Sequence, residues 1–194
     1  MGRKQDHFSR QAKAAGYPAR SVYKLEEIQR KYRVMRGGMR ILDVGASPGS
    51  FSMYAAKIAG SKGFVVGVDL VNSPPPLPES AYEFIHGDAF SPEIAPRLKF
   101  LGPFHCILSD AAPSTTGNRV VDTARSANIV ESVLHLAENL LAAHGNFVAK
   151  IFQGGDEGGL LRVAKAMFQT AKLFKPGASR KESFETFLIG INRR

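Results

Sequence analysis

Four ionisable side chains stand out because their surroundings do not explain them: Lys24, Asp110, Lys150 and Glu185. Lys150 interrupts the apolar run Phe147-Val148-Ala149-Lys150-Ile151-Phe152, and Glu185 interrupts Phe184-Glu185-Thr186-Phe187-Leu188. A charge buried in such a stretch is costly unless it is paired. Residue types alone allow two outcomes, a pair of structural salt bridges or a set of groups that handle protons. A lysine in the second role has to be neutral when it accepts a proton. Burial and a neighbouring cation favour that state, and adjacent carboxylates oppose it.

A second set of residues marks a binding site. Residues 40–53 read RILDVGASPGSFSM: a short apolar run ends at Gly45, and Gly49 opens a segment in which Phe51, Tyr54, Ala55 and Ile58 recur at helical spacing. A buried strand, a glycine turn and a helix start form the usual cradle for an adenosine-containing cofactor. Asp43 and Gly45 close the first apolar run, Asp69 closes the second, Asp88 follows the third, and Asp110 closes the fourth; Lys150 lies near the end of the fifth. Asp69, 24 residues after Gly45, is placed to accept hydrogen bonds from both ribose hydroxyls. Asp88 is placed for an adenine amino group, with Phe90 beside the ring. The turn is G-A-S-P-G rather than G-x-G-x-x-G, and Pro48 removes a backbone N–H that a pyrophosphate would need. S-adenosylmethionine has no phosphate and carries a sulfonium and an ammonium, which suits an acid-lined cleft better than NAD does.

The elements that must position these groups follow from periodicity. A helix is expected over Ala19–Arg33, with Val22, Leu25, Ile28 and Tyr32 on one face and Lys24 at its edge. Strands are expected at Met39–Val44, Phe64–Leu70, Tyr82–Ile85, Phe104–Ser109, Asn146–Phe152, Lys172–Lys175 and Phe184–Ile191. Helices are expected over Ser50–Ile58, Pro92–Lys99, Thr123–Ala143 (stopped by Gly145) and Leu160–Ala171. Asn72–Pro78, NSPPPLP, excludes regular helix and reads as a rigid loop. The alternation implies an α/β fold with a mostly parallel seven-stranded sheet and helices on both faces. The last two strands have no room for a crossover helix and should form an antiparallel pair at one edge. The 194 residues suit one domain, residues 1–17 being a mobile basic arm.

Charge is unevenly distributed. Residues 1–40 hold 11 Lys/Arg against 3 Asp/Glu, residues 41–161 hold 7 against 12, and residues 162–194 hold 8 against 2. An acidic centre between basic ends fits a polyanionic partner. Arg3, Lys4, Arg10, Lys13, Arg20, Arg36, Arg180 and Lys181 are the candidate phosphate contacts. No apolar run approaches the roughly 20 residues of a bilayer span, and no apolar core follows the basic N-terminus. The single Cys106 cannot form an internal disulfide or, alone, a metal site, so the expectation is a cytoplasmic protein with no membrane partner and no metal.

Five segments, in order and over essentially the whole length, resemble the FtsJ/RrmJ-like ribosomal RNA large-subunit 2'-O-methyltransferases: Arg20–Ile28 (RSVYKLEEI), Leu42–Ser52 (LDVGASPGSFS), Ser109–Gly117 (SDAAPSTTG), Lys150–Gly154 (KIFQG) and Ser179–Leu188 (SRKESFETFL). The resemblance implies a Rossmann-like methyltransferase fold. It implies a catalytic tetrad of Lys24, Asp110, Lys150 and Glu185, and cofactor contacts from Gly49, Phe51, Asp69, Asp88 and Asp110 beside Gly45. It also implies transfer of a methyl group from S-adenosylmethionine to a ribose 2'-hydroxyl of a uridine in large-subunit ribosomal RNA. Lys150 would be the base or hydroxyl-steering group and Asp110 its orienter. Lys24 would orient the hydroxyl or steady the adjacent phosphate, and Glu185 would position Lys24 or the ribose. Two positions depart from the family: Phe51 stands where tryptophan is usual, and Ser114 where asparagine is common. A tRNA ribose as substrate, or a non-catalytic RNA-binding assembly factor, are the alternative readings. A 2'-hydroxyl target requires RNA rather than DNA. No exposed apolar stripe in the pattern asks for an oligomeric partner, so a monomer is expected.

Overall fold

The strand that carries the glycine turn, β1 (Arg40–Val44), lies in the interior of the sheet, third of its seven strands. Its Ile41, Leu42 and Val44 are buried on both faces, as a strand covered by helices on each side must be. The computed structural model describes residues 7–180 and 183–194. In it β1 pairs in parallel with β2 (Phe64–Asp69), and β2 with β3 (Tyr82–His86). On its other side β1 pairs in parallel with β4 (Phe104–Ser109), and β4 with β5 (Leu141–Phe152). Beyond β5, β7 (Glu185–Arg193) runs antiparallel to both β5 and the outermost strand β6 (Phe168–Phe174). The order is β3-β2-β1-β4-β5-β7-β6. The expected sheet and its antiparallel edge pair are present, with β7 one place in from the edge.

The helices α1 (His7–Ala14), α2 (Val22–Tyr32), α3 (Ser50–Ala59), α4 (Ala95–Leu101), α5 (Arg119–Leu140) and α6 (Glu157–Met167) cover the two faces. Val22, Leu25 and Ile28 of α2 and Phe51 and Ala55 of α3 pack over one face of the sheet. Leu98 of α4, Val130, Val133 and Leu134 of α5 and Ala164 of α6 cover the other. The α2 stripe is the one its periodicity predicts.

Several boundaries differ from expectation. Residues 7–14 of the expected mobile arm form α1, because Phe8 and Ala12, four apart, share one face. Ala12 is buried and the Phe8 ring lies 5.5 Å from that of Tyr23. Residues 1–6 of that arm lie outside the described residues. The long helix α5 begins earlier than expected, where the Asn118 side chain accepts hydrogen bonds from the backbone N–H groups of Val120 and Val121. It ends at Leu140 rather than at Ala143, and β5 takes the chain from Leu141. Similarly α6 stops at Met167, and Phe168–Phe174 becomes strand, since burying Phe168 and Ala171 against the sheet outweighs the helical spacing of the preceding residues.

Candidate active site

The four singled-out charges meet at the carboxyl ends of the parallel strands. β5 and β7 pair with Lys150 opposite Phe187 and Phe152 opposite Glu185, so Lys150 and Glu185 are diagonal neighbours on one face. Asp110 directly follows β4, the parallel neighbour of β5. Lys24 comes from the first turn of α2, at the rim of its buried stripe. Lys150 Nζ lies 3.0 Å from Asp110 Oδ1 and 3.9 Å from Glu185 Oε1, and Lys24 Nζ donates to Glu185 Oε2 at 2.5 Å. The result is an alternating chain, Asp110–Lys150–Glu185–Lys24, in which both lysines are 8% exposed. Alternation is what makes the burial tolerable, because each ammonium faces a carboxylate and each carboxylate a cation. Burial pushes the Glu185 carboxyl up, but Lys24, then Lys150, and a hydrogen bond linking it to Ser183 outweigh it. Its pKa therefore lies below the usual carboxylate value.

The glycine turn is built against this chain. Gly45 has φ +77°, and a Cβ there would lie 2.7 Å from that of Ala111, the residue after Asp110. Gly45 thus allows the β1 turn to approach the tetrad loop closely. Gly49 has φ +106°, and a Cβ there would lie 2.4 Å from Pro75 Cβ. The proline-rich loop, which has no regular structure, packs its buried Pro75 onto this glycine. Asp69 ends β2 with its Oδ2 accepting from Ser47 N–H (2.9 Å) and its Oδ1 from Val71 N–H (2.7 Å). Each of those oxygens keeps a second lone pair for a hydroxyl. Asp88 is exposed just beyond β3 and accepts from Phe90 N–H at 2.9 Å. Leu70 is 70% exposed and Phe90 39% exposed, two apolar side chains just beyond adjacent strand ends. Acids that accept from hydroxyls, apolar side chains open to a flat ring, and glycines with no room for a side chain fit an adenosine group.

Phe51 is placed differently from the other expected cofactor contacts. Its ring is buried in the core and stacked on Phe187, 6.4 Å between centroids. Helix α3 directs this first-turn residue towards the sheet, and Phe187 is the residue paired with Lys150. Phe51 therefore supports the strand pair that carries Lys150 and Glu185. Beneath the turn, Asp43 is fully buried and its Oδ2 accepts from Ser52 Oγ at 2.6 Å. Burial pushes the Asp43 carboxyl up to about 7; the Ser52 hydroxyl partly offsets this, and the charges of Asp110 and Asp69 add to it.

Of the candidate phosphate contacts, Lys13, Arg20 and Arg180 line one cavity beside the site, and Arg10 is exposed on α1. Arg36 does not join them. It precedes β1 and lies near its amino end, opposite the cleft. Arg3, Lys4 and Lys181 lie outside the described residues. Sequence reasoning missed Ser50, whose hydroxyl accepts from Ala19 N–H (2.8 Å) and donates to Ala19 C=O (3.0 Å). It also missed Glu27, whose carboxylate accepts from Gly177 and Ala178 N–H at 2.7 and 2.8 Å. Both contacts span long stretches of chain, and no local pattern signals them. Leu70 had a signal, an apolar residue directly after a strand-closing acid. Among the described residues no group of three or more His, Cys, Asp or Glu could hold a metal ion, and no helix is long and apolar enough to cross a membrane.

Residues 17–193 match the model of the family described as FtsJ-like methyltransferase. The chain is 46% identical over 191 residues to a Treponema denticola protein named ribosomal RNA large subunit methyltransferase E, covering 96% of this chain and 94% of that protein. It is 47% identical to the Syntrophobacter fumaroxidans protein of the same name, covering 98% and 96%. Among solved structures it resembles one described as a ribosomal RNA methyltransferase from Plasmodium falciparum, with a TM-score of 0.78 at 27% identity over 91% of this chain and 98% of that one. Fibrillarin from Aeropyrum pernix shares the fold at a TM-score of 0.60 and 15% identity, over 88% and 76% of the two chains.

Proposed function

Since the chain belongs to the FtsJ-like methyltransferase family, we propose that it uses S-adenosylmethionine to methylate a ribose 2'-hydroxyl, that of a uridine in large-subunit ribosomal RNA. One observation carries the reading: the Asp110–Lys150–Glu185–Lys24 chain, assembled from four distant segments beside the Gly45–Gly49 turn. The substrate follows the large-subunit ribosomal RNA methyltransferases to which the chain is 46–47% identical over nearly all its length.

Asp69 would hold the cofactor's ribose and Asp88 its adenine amino group, with Leu70 and Phe90 against the ring and Gly45, Gly49 and Asp110 shaping the methionine end. When bound, that cofactor supplies a methyl group on a sulfonium, an activated electrophile. The work left to the protein is mainly positioning a poor nucleophile. Lys150 Nζ would be the base or hydroxyl-steering group for the 2'-oxygen; Asp110, 3.0 Å away, fixes the Lys150 side chain. Glu185 pins Lys24 at 2.5 Å, which sets that ammonium beside the incoming ribose and its phosphate. Arg10, Lys13, Arg20 and Arg180, with Arg3, Lys4 and Lys181 beyond the described residues, would hold flanking phosphates. A ribosomal RNA substrate supports a cytoplasmic location, and we read the protein as a monomer of one domain.

The test is transfer of labelled methyl to large ribosomal subunits, naked ribosomal RNA and tRNA, with the modified nucleotide mapped. Label at one ribose of large-subunit RNA is the expected outcome, and label on tRNA alone would replace the substrate. Lys150→Ala should lower kcat by about 10²–10⁴-fold, the range for losing a general base, while leaving RNA affinity unchanged. Wild-type turnover by that variant would remove Lys150 from the reaction.

A further inference from the structure

Beyond the tetrad, a second group of side chains gathers at the same end of the sheet. Phe184 directly precedes Glu185, and its C=O accepts from the N–H of Gln153, three residues past Lys150, at 2.8 Å. The half-buried Phe184 ring meets the buried Phe152 ring edge-on, 4.7 Å between centroids. From α5, Arg119 brings its guanidinium carbon to 5.5 Å from the Phe184 centroid and donates through Nη2 to Gln153 C=O at 3.4 Å. We infer that Arg119 and Phe184 form a stacking platform for the base of the nucleotide being methylated, an inference that rests on the RNA methyltransferase reading above.

Stability does not account for the pair. Arg119 is the first residue of α5, where a cation opposes the helix dipole. It is exposed, and a cation–π contact in solvent stabilises only weakly. The guanidinium packs along Gly154, whose φ of +102° is a left-handed turn and where a Cβ would lie 3.5 Å from Arg119 Nε and Nη2. Its neighbour Val120 is 76% exposed, an apolar side chain at the same rim. A second arginine–ring pair serves as contrast: Arg97 lies 5.6 Å from the Phe100 centroid. That arginine is bonded to Glu83 Oε1 at 2.8 Å, near the amino end of β3, so an ion pair explains its position.

Chemistry and position select the ligand. Unstacked RNA bases rest on aromatic rings and on guanidinium planes, and such stacking accepts any base because every base has a π-face. The Cα atoms of Phe184 and Glu185 are about 3.8 Å apart. A base is bonded to C1' of its ribose, the neighbour of the C2' that carries the reacting hydroxyl. With the 2'-oxygen at Lys150 and the ribose against Glu185, the base of that same nucleotide meets the platform with no other nucleotide between. Holding the base fixes the rotation of the ribose and so aims the 2'-oxygen. Arg119 and Phe184 are therefore substrate-positioning residues, and the plane of the guanidinium matters to this role more than its charge.

The test pairs decauridylate with a decamer of the same ribose–phosphate backbone lacking its bases, each titrated by fluorescence anisotropy with the full chain. The wild type should prefer decauridylate by about fivefold or more, the least that one stacked base contributes. Phe184→Leu keeps an apolar side chain against Phe152 but loses the aromatic plane. It should weaken decauridylate binding about fivefold and leave the abasic decamer and the salt dependence unchanged, and Phe184→Tyr should restore the loss. Arg119→Lys keeps the charge and loses the plane, so it should weaken decauridylate about threefold and the abasic decamer not at all. A guanidinium that held a phosphate would instead cost both decamers the same factor. On the RNA that the wild type methylates, Phe184→Leu and Arg119→Lys should slow a single turnover about tenfold at saturating RNA, because the ribose is misplaced. A platform for a flanking base would raise only the RNA concentration needed. Phe100→Leu, in the other arginine–ring pair, should alter none of these readings. Melting temperatures report the fold, and if Phe184→Leu lowers its own, the exposed Arg119→Lys carries the test. No preference of the wild type for decauridylate, equal losses on both decamers, or an unchanged saturating rate would each overturn the platform. A wild type that methylates no RNA yet shows these binding differences would instead overturn the enzymatic reading.

Discussion

At Asp43 the chain buries a carboxyl group whose Oδ1 has no hydrogen-bond partner among the described residues. Its pKa is raised from 3.8 to about 7, so the folded protein prefers the protonated form. The sign follows directly: this preference stabilises the fold fully below about pH 4 and is lost as pH rises through 7. A shift of that size corresponds to about 4 kcal/mol in total. Asp43→Asn keeps the shape and removes the titration. Urea unfolding at pH 5 and pH 8 should show the wild type losing about 2.5 kcal/mol relative to the variant between the two. Parallel pH profiles would show that Asp43 does not carry the effect. Glu185 is the opposite case: its pKa is lowered, so it stabilises the fold above its ordinary value, and that contribution fades only as pH falls through the depressed one. Burial raises both carboxyls. At Glu185 the adjacent lysines outweigh it, whereas at Asp43 only Ser52 offsets it and nearby acids add to it, a difference that only the three-dimensional neighbourhood sets.

The elements act through a few tight junctions. Helix α3 starts at Ser50 directly after Gly49, whose left-handed backbone and contact with Pro75 leave no room for a side chain. Gly49→Ala adds backbone strain of about 1–2 kcal/mol to a steric clash with the proline-rich loop. It should lower the melting temperature and weaken S-adenosylhomocysteine binding together, read by thermal unfolding and calorimetry; a variant that binds and melts as wild type would contradict this packing. The Ser50 hydroxyl joins α3 to the segment ahead of α2 through both backbone groups of Ala19. Ser50→Ala leaves those groups without their partner, at a cost of about 1–3 kcal/mol. Hydrogen exchange should report faster exchange at Ala19 without change at the centre of the sheet. Periodicity made most of these elements legible: α2, α3 and β4 lie within a few residues of where the apolar spacing puts them. It failed at residues 141–143 and 168–171, where apolar residues compatible with a helix were taken by the sheet. Local spacing has no access to the strands already waiting there.

On the scale of the whole molecule, residues from both basic ends of the chain meet at the acidic centre. Lys24 and Arg20 arrive from the N-terminal segment and Arg180 and Glu185 from the C-terminal one, so charges far apart in the chain bracket the same cleft. Binding through phosphates alone does not distinguish sugars, whereas the proposed reaction needs the 2'-oxygen. An RNA substrate with a single 2'-deoxy sugar at the target should therefore bind within about threefold of the parent, since phosphate contacts dominate affinity, and accept no methyl group. Methylation of that RNA would move the target atom to the base. The sequence by itself determined the alternation of strand and helix, the glycine turn, the acids at strand ends and the identity of the four charges. These depend on residue type and short spacing, which are local properties. Only the tertiary structure decided the order of those charges along their chain of ion pairs, the burial of Phe51 beneath Phe187, the exclusion of Arg36, and the cavity formed by α1. Each of these depends on which distant segments become neighbours, and packing sets that rather than spacing. The turn at Gly45 was legible as a motif, but its approach to Ala111 became visible only once β1 and β4 lay side by side.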